Sequence, residues 1–349
     1  MLSSNFSTPP DLLRFIAEID EFKGSWRVIH SLTPDRLQSL RYVATIESIG
    51  SSTRIEGAKL SDREVEELLR GLTTGSFASR DEQEVAGYAE TMDLVYASYA
   101  DIVFTENHIK QLHRDLLRHS PKDVRHRGEY KTSSNNVEAF DAEGRSIGVV
   151  FETTSPFDTP RKMAALVTWT RETLSDKSLH PLLVIGAFTV SFLEIHPFQD
   201  GNGRLSRILT SLLLLQAGYS YVPYSSMESV IERNKEAYYL SLRRTQTTLN
   251  DNVPDWIPWF RFFLLSLKRQ KDHLAAKLDG QTLREEMLSP ELSTIMDHVH
   301  RHGRITTGEA LALTGAPRPT VRSWLSKLVR EERLALHGKG RGAWYALLK

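Results

Sequence analysis

Residues 180–218 read HPLLVIGAFTVSFLEIHPFQDGNGRLSRILTSLLLLQAG, and this stretch decides the fold. Two strongly apolar runs flank a short polar loop, and they are too long for strands of ordinary length. They predict two buried helices, the second ending at Gly218 as a helix with a left-handed glycine does. The chemically useful residues are concentrated in the loop between them, from His196 to Arg207.

The loop carries the elements of an anion site. Gly201 and Gly203 can adopt backbone angles closed to other residues and leave amide N–H groups bare. A Gly-Asn-Gly segment that enters a helix therefore predicts an anion nest at the positive end of the helix dipole. Arg204 and Arg207 are three residues apart, on one helix face, and both can bind phosphate oxygens.

Two further residues of the loop suit phosphorus chemistry. Asp200 offers a hard oxygen ligand for a magnesium ion that already carries phosphates. His196 can take a proton from an attacking hydroxyl near neutral pH. The combination predicts transfer of a phosphorus group from a nucleotide, whereas the plainer alternative is a tight connection between two helices.

The loop also matches every fixed position of the Fic family signature, His-Pro-Phe-x-(Asp/Glu)-Gly-Asn-Gly-Arg-x-x-Arg. The resemblance implies an all-helical core and transfer of AMP from ATP, with Mg²⁺, to a hydroxyl side chain of a target protein. It makes His196 the general base, Asp200 the metal ligand and Gly201 to Gly203 the anion hole. It also implies that Asn202 contacts the α-phosphate, while Arg204 and Arg207 hold the outer phosphates. Tyr238, Gln246 and Val137 are assigned to the nucleotide site on the same resemblance.

A second motif lies upstream, in SSTRIEGAKL. Ser52, Glu56 and Gly57 fit the pattern (Ser/Thr)-x-x-x-Glu-(Gly/Asn), which in Fic proteins marks an inhibitory helix. On a helix Ser52 and Glu56 share a face, and Gly57 suits the C-terminal cap. The implied mechanism is that Glu56 pairs with Arg207, the arginine that should hold the γ-phosphate. A plain helix cap is the alternative interpretation.

Between Arg125 and Phe151 the helical period fails, and turn residues alternate with short β-prone runs. We predict a β-hairpin, which resembles the flap that aligns the target chain in Fic proteins. Gly128, Tyr130 and Lys131 match the flap's opening, but the residues from Ser134 to Ala139 depart from the family's usual run. The predicted target-binding region is therefore residues 128–139.

Composition narrows the remaining choices. Lys plus Arg and Asp plus Glu both number 44, so the net charge favours neither nucleic acid nor membrane. The chain has no cysteine, which excludes disulfides and thiolate metal sites. No secretory signal is visible, and we expect a cytoplasmic protein without a membrane span. A homodimer is expected only from the family resemblance.

Apolar spacing predicts helices at 11–22, 34–49, 81–100, 105–118, 160–175, 226–246 and 256–274. The predicted domains are an N-terminal region over residues 1–79 with an inhibitory helix at about 45–57, a Fic core over 80–275 and a winged-helix domain over 285–349. Residues 275–290 are polar and are predicted to be a linker.

The C-terminal pattern is helix, short helix, longer helix and a two-stranded tail with glycines at its tip, which predicts a winged helix-turn-helix. Residues 291–349 hold ten Lys and Arg against five Asp and Glu. Arg318, Arg322 and Lys327 would line the exposed side of the second long helix, so DNA is one candidate partner and a protein surface is another.

Three functions stay open. The first is a mainly α protein adenylyltransferase held low by Glu56. The second is removal of AMP, or transfer of another phosphate-linked group, at the same site. The third is a DNA-binding regulator whose core senses a nucleotide, although such a sensor has no need of a base at His196.

Overall fold

A computed structural model describes residues 2–3, 6–29, 34–71, 77, 79–135, 137–140, 146–286, 290–330, 333–338 and 340–347. The chain divides into two compact units, Met1–Leu274 and Ala275–Lys349. Helices dominate both units, which confirms the predicted mainly α fold class. In the described ranges, no helix combines the length and the apolar character needed to cross a bilayer.

The two apolar runs of the sequence form helices α7 (Pro181–Ile195) and α8 (Asn202–Gln216), as predicted. Every residue of α7 from Leu182 onward is buried, because Glu194 is its one charged residue. Pro181 opens the helix, where its missing N–H costs nothing, and the Nδ1 atom of His180 accepts the N–H of Leu182. Gly218, with φ of 87°, follows the end of α8.

Further helices of the first unit surround this pair. They are α1 (Pro10–Ile29), α2 (Pro34–Ile55), α3 (Asp62–Gly71), α4 (Arg80–Ser98), α5 (Glu106–Leu116), α6 (Thr159–Asp176), α9 (Met227–Arg233), α10 (Lys235–Gln246) and the first part of α11 (Ile257–Glu286), which continues beyond Leu274. Helices α6 and α10 pack against α7, whereas α4 and α5 pack against α8. Helix α2 packs against α9 and also reaches α8, which brings the predicted inhibitory segment to the signature loop.

The predicted hairpin is present but shorter than expected. Strands β1 (Val137–Phe140) and β2 (Ser146–Phe151) pair antiparallel, with Val137 opposite Phe151. The preceding segment forms turns instead of a strand, because Gly128 has a φ of 81° and the residues after it bond to the signature loop. Residues 128–135, which precede the hairpin, are thus held against the signature loop, and we call them the flap stem.

Two sequence predictions about helices were wrong. The helix expected over 226–246 is divided at Asn234, which has φ of −124° and ψ of 33° and ends α9 before α10 begins. The segment 275–290, predicted as a linker from its polar composition, is helical through Glu286 at the end of α11. Polar residues at helical spacing continue an exposed helix as readily as they form a linker.

The second unit has its own small core. Its elements are α12 (Pro290–His302), β3 (Ile305–Thr306), α13 (Thr307–Thr314), α14 (Arg318–Arg330), β4 (Leu334–His337) and β5 (Trp344–Leu347). The strands form an antiparallel sheet in the order β3-β5-β4, and Ile295, Val321, Leu325 and Leu328 are fully buried among the helices. This element order supports the winged-helix assignment, which stays a prediction.

Candidate active site

The signature loop is closed by its own side chains. His196 ends α7 in the left-handed region, with φ of 52°, and Phe198 is completely buried behind it. The side chain of Asn202 folds back on Phe198, since its Oδ1 accepts the Phe198 N–H at 2.9 Å and its Nδ2 donates to the Phe198 carbonyl at 2.7 Å. Asn202, predicted to contact the α-phosphate, therefore also fixes the shape of the loop.

A carboxylate already lies at the start of α8. Gly201, with φ of 77°, precedes the helix, and its N–H donates to Oδ1 of Asp200 at 2.6 Å. Oδ2 of Asp200 pairs with Arg80 at 2.8 Å, and Arg204 lies 3.3 Å from Oδ1. Burial would raise the pKa of Asp200, but Arg204, the Gly201 N–H and Arg80 together lower it. The nest thus favours a negative group.

Arg204 is buried and held by two carboxylates. Its Nη1 lies 3.0 Å from Glu84 of α4, and its Nη2 lies near Asp200 on its own helix. The sequence predicted the face on which Arg204 lies but not the role of Glu84. Together these contacts fix the guanidinium beside the loop before any ligand binds.

Glu56 and Arg207 form the ion pair that the upstream motif predicted. Nη2 of Arg207 lies 2.7 Å from Glu56 and 2.9 Å from the carbonyl of Ser52, while Nε donates to the Ser52 hydroxyl at 2.8 Å. Gly57, with φ of 106°, ends the turn after α2. Burial would raise the pKa of Glu56, yet Arg207 lowers it, so the carboxylate is charged at neutral pH.

The carboxylate of Glu56 also lies against the backbone of α8. Gly203 has no side chain, and a Cβ at this position would overlap Oε1 of Glu56. The second glycine of the loop therefore gives a carboxylate direct access to the start of the helix. In this arrangement Glu56 forms an ion pair with Arg207 and fills the space next to Gly203.

His196 is held in a form that can accept a proton. Its Nδ1 lies 3.3 Å from the carbonyl of Leu193, which requires Nδ1 to carry the hydrogen and leaves Nε2 as the acceptor. Burial lowers the pKa of His196 to about 4, with Lys131 adding to the effect. The imidazole is therefore neutral at pH 7.

The flap stem is bonded directly to the signature loop. Lys131 is buried, and its Nζ donates to Asn135 at 2.8 Å, to Thr153 at 2.8 Å and to the carbonyl of Ile195 at 3.0 Å. The amide of Asn135 donates to the carbonyl of Phe198 at 2.6 Å. Lys131 was among the predicted flap residues. Asn135 lies in the segment that departs from the family's run, and its role was not foreseen.

His113 is the functional neighbour that sequence reasoning missed. It belongs to no motif, but it is fully buried and its ring stacks on Phe198 at 3.8 Å between centroids. Its Nδ1 accepts the N–H of Gly128 at 2.8 Å, and its Nε2 lies 3.0 Å from the carbonyl of Asp200. No sequence spacing reveals this pairing, because Asp200 is 87 residues away along the chain.

The three residues assigned to the nucleotide by resemblance differ in where they lie relative to the signature loop. Tyr238 is buried beside Arg207, where the two residues line a small cavity, and its ring packs against Trp259 with centroids 6.0 Å apart. Gln246 is buried at the end of α10. Val137 lies in β1, and its side chain is outside the described residues. The adenine contacts of these residues stay predictions.

A magnesium ion would rely on Asp200. Within the part of the chain that the structure describes, no three His, Asp or Glu side chains are grouped to hold a metal ion. Magnesium bound to phosphates needs only one or two protein carboxylates, and the side chain of Asp200 is 37% exposed beside the nest. The residues present fit such an ion once Arg80 releases the carboxylate.

Comparison with known proteins finds relatives with Fic domains. The model of the Fic/DOC family matches residues 103–214. A protein from Drosophila willistoni named protein adenylyltransferase Fic is 28% identical over 251 residues, covering 71% of this chain and 45% of the relative. The chain thus spans about half the length of that relative.

Solved structures share the fold. A Fic family protein from Desulfovibrio desulfuricans G20 has a TM-score of 0.64 at 23% identity and covers 99% of this chain and 98% of its own. A Fic-domain signalling protein from Bacteroides thetaiotaomicron has a TM-score of 0.61 at 24% identity, covering 75% and 97%. The signature, the helical fold and the family match agree, and residues 103–214 are similar to the Fic/DOC family.

Proposed function

We propose that this protein transfers AMP from ATP to a Ser, Thr or Tyr hydroxyl of target proteins and of itself. The observation that carries the proposal is the juxtaposition, within one loop, of a neutral histidine and a helix N-terminus lined by arginines. The similarity to a curated protein adenylyltransferase supports the same chemistry. Phosphoryl transfer needs positioning and charge stabilisation more than covalent participation, and the loop supplies both.

The residues of the loop suggest which group performs each step of AMP transfer. Nε2 of His196 accepts the proton of the attacking hydroxyl, since Nδ1 is committed to Leu193. The N–H groups from Gly201 to Gly203 stabilise the charge that develops on the α-phosphate, once the Gly201 N–H is released from the Asp200 carboxylate. Arg204 and Arg207 hold the outer phosphates, which leave as pyrophosphate. A magnesium ion held by Asp200 would neutralise phosphate charge.

Glu56 restrains this reaction in our proposal. A nucleotide's γ-phosphate needs the guanidinium that Glu56 and Ser52 now occupy. Arg207 retains its charge, because Glu56 raises its pKa against the effect of burial. Displacing the Glu56 carboxylate therefore frees a cation that is ready for phosphate.

Two other reactions at the same loop remain alternatives. Glu56 near His196 suits activation of a water for AMP removal, and the nest would also accept another phosphate-linked donor. Both differ from the main proposal in which group, if any, appears on the protein.

The test compares wild type, Glu56→Gly and Glu56→Gly combined with His196→Ala, each incubated with α-labelled or γ-labelled ATP. We expect label on the protein from α-labelled ATP in Glu56→Gly alone. Label from γ-labelled ATP would mean phosphoryl transfer instead. Equal α-label in the double variant would remove the general-base role of His196, and equal label in wild type would remove the restraint by Glu56.

A second candidate function concerns the C-terminal unit. Helix α14 exposes Arg318, Arg322 and Arg330, with Ser323 and Ser326 also exposed, which suits contact with DNA phosphates. We propose weak duplex binding by this face. Binding of the full chain to duplex DNA should weaken steeply with salt and respond to Arg322→Ala. Binding independent of salt and of Arg322 would instead favour a protein partner. The homodimer stays a prediction.

A further inference from the structure

His113 joins two parts of the proposed active site that are far apart in sequence. Its imidazole lies between the flap stem at Gly128 and the signature loop at Asp200, and the bond to Gly128 is buried while the bond to Asp200 is partly buried. The stack on Phe198, at an interplanar angle of 16°, holds the ring in the plane that both bonds require.

The two hydrogen bonds fix the tautomer. A backbone N–H can only donate, so Nδ1 of His113, 2.8 Å from the Gly128 nitrogen, must accept. The neutral ring then carries its hydrogen on Nε2, which donates to the carbonyl of Asp200 at 3.0 Å. Both ring nitrogens are fully used, and none is left for substrate.

The bond to Asp200 sets the direction of a functional N–H. A peptide group is planar and trans, so the carbonyl of Asp200 and the N–H of Gly201 point in opposite directions. When His113 binds the carbonyl, the Gly201 N–H is turned away from α5, where it now donates to the Asp200 carboxylate at 2.6 Å. Gly201 has a φ of 77° and no side chain that could fix the plane of the Asp200–Gly201 peptide.

We propose that His113 is a positioning residue for the nucleotide site, because it orients the Asp200–Gly201 peptide so that the Gly201 N–H faces the anion nest. The bond to Gly128 keeps the imidazole in the correct tautomer and ties the flap stem to the same ring. This inference rests on the proposed function, because that function makes a nucleotide the ligand of the anion nest. Its test is anion binding, which does not depend on transfer.

Three substitutions separate the two bonds. His113→Phe keeps a ring for the stack on Phe198 but loses both hydrogen bonds. His113→Gln places a donor at the ε position, within reach of the Asp200 carbonyl. His113→Asn places an acceptor at the δ position, which serves Gly128 but not Asp200. All three are made in the Glu56→Gly background, so that the carboxylate of Glu56 does not compete for the site.

The measurement is calorimetric binding of ADP without magnesium, accompanied by thermal melting of each variant. We expect His113→Phe and His113→Asn to weaken ADP binding by about tenfold, a loss typical of one misaligned charge-assisted hydrogen bond. His113→Gln should bind ADP within about threefold of the parent. The melting temperatures should not follow this order, since Gln and Asn each restore one buried bond.

Two results would overturn the proposal. One is undiminished ADP binding by a folded His113→Phe; the other is equal loss in Gln and Asn. If His113→Phe does not fold, the comparison of Gln with Asn still decides. Absence of α-label from the parent Glu56→Gly would refute the transferase proposal, whereas the ADP comparison would still test His113.

Discussion

A residue near the loop can make several contacts, and a sequence motif indicates only one of them. Glu56 and Arg207 form the ion pair that the family resemblance implies. His113 has no motif, and its partners Gly128 and Asp200 come together only through the packing of α5 against α8. Buried polar residues of this kind have to be read from the structure.

The buried imidazole of His113 predicts a loss of stability in acid. Burial lowers its pKa from 6.5 to about 4, so the unfolded chain takes up the proton first. Its contribution to the free energy of unfolding is complete above pH 6.5 and is lost as the pH falls towards 4. The shift corresponds to about 3 kcal/mol.

Urea denaturation between pH 8 and pH 4 checks this expectation. His113→Gln, which does not titrate there, should lose less stability over this range than wild type, by about 3 kcal/mol. His196 is present in both proteins and cancels from the comparison. Parallel pH profiles for the two proteins would show that His113 is not the titrating group.

At the scale of elements, close helix packing supports the site. Helix α4 approaches α5 through Gly87, where a Cβ would overlap the carbonyl oxygen of Leu116. Since α5 carries His113, the distance between these helices affects where its imidazole lies. The sequence predicted both helices from their apolar spacing, but not this approach, because a glycine within a helix gives no sign of what faces it.

Gly87→Ala should therefore destabilise the protein, despite the better helix propensity of alanine. We expect a loss of about 1–3 kcal/mol from overpacking. Gly24→Ala in α1 is the matched control, because no atom of the described residues lies within 4 Å of the added Cβ, and it should gain about 0.5–1 kcal/mol. Chemical denaturation checks both, and a stabilised Gly87→Ala would contradict the packing argument.

The end of α2 is held by a second ion pair. Arg54 donates to Glu232 of α9 through Nε at 2.6 Å and Nη2 at 3.0 Å, and it also donates to the carbonyl of Leu60 at 3.0 Å. These bonds fix the turn that carries Glu56, two residues further on. Nothing in the sequence paired Arg54 with Glu232, which is 178 residues away.

Glu232→Gln should weaken the restraint on transfer. Charge-assisted hydrogen bonds of this type contribute about 1.5–3 kcal/mol, so we expect basal autolabelling to rise by about tenfold. The rise should be smaller than that of Glu56→Gly, since Arg207 still meets Glu56. Glu67→Gln, which breaks the exposed pair with Arg63, is the control. Equal labelling by both variants would exclude Arg54 from the restraint.

At the scale of the whole molecule, the sequence predicted the mainly helical plan, the central helix pair and the hairpin. These features follow from hydrophobic spacing and glycine placement, which are local properties. The break at Asn234 and the helical continuation through Glu286 were not predicted, because they depend on packing and not on composition. In the candidate site, the sequence identified the signature residues but not the residues that bond to them, such as His113 and Asn135.

In our proposal, the loop from His196 to Arg207 transfers AMP and Glu56 restrains the reaction. The most direct test is intact-mass spectrometry of purified wild type, Glu56→Gly and Glu56→Gly with His196→Ala after incubation with ATP and magnesium. We predict a mass increase of one or more adenylyl groups in Glu56→Gly alone, located by peptide mapping on hydroxyl side chains. The proposal would be contradicted if Glu56→Gly binds ATP but adds no adenylyl group, either to itself or to proteins of a lysate.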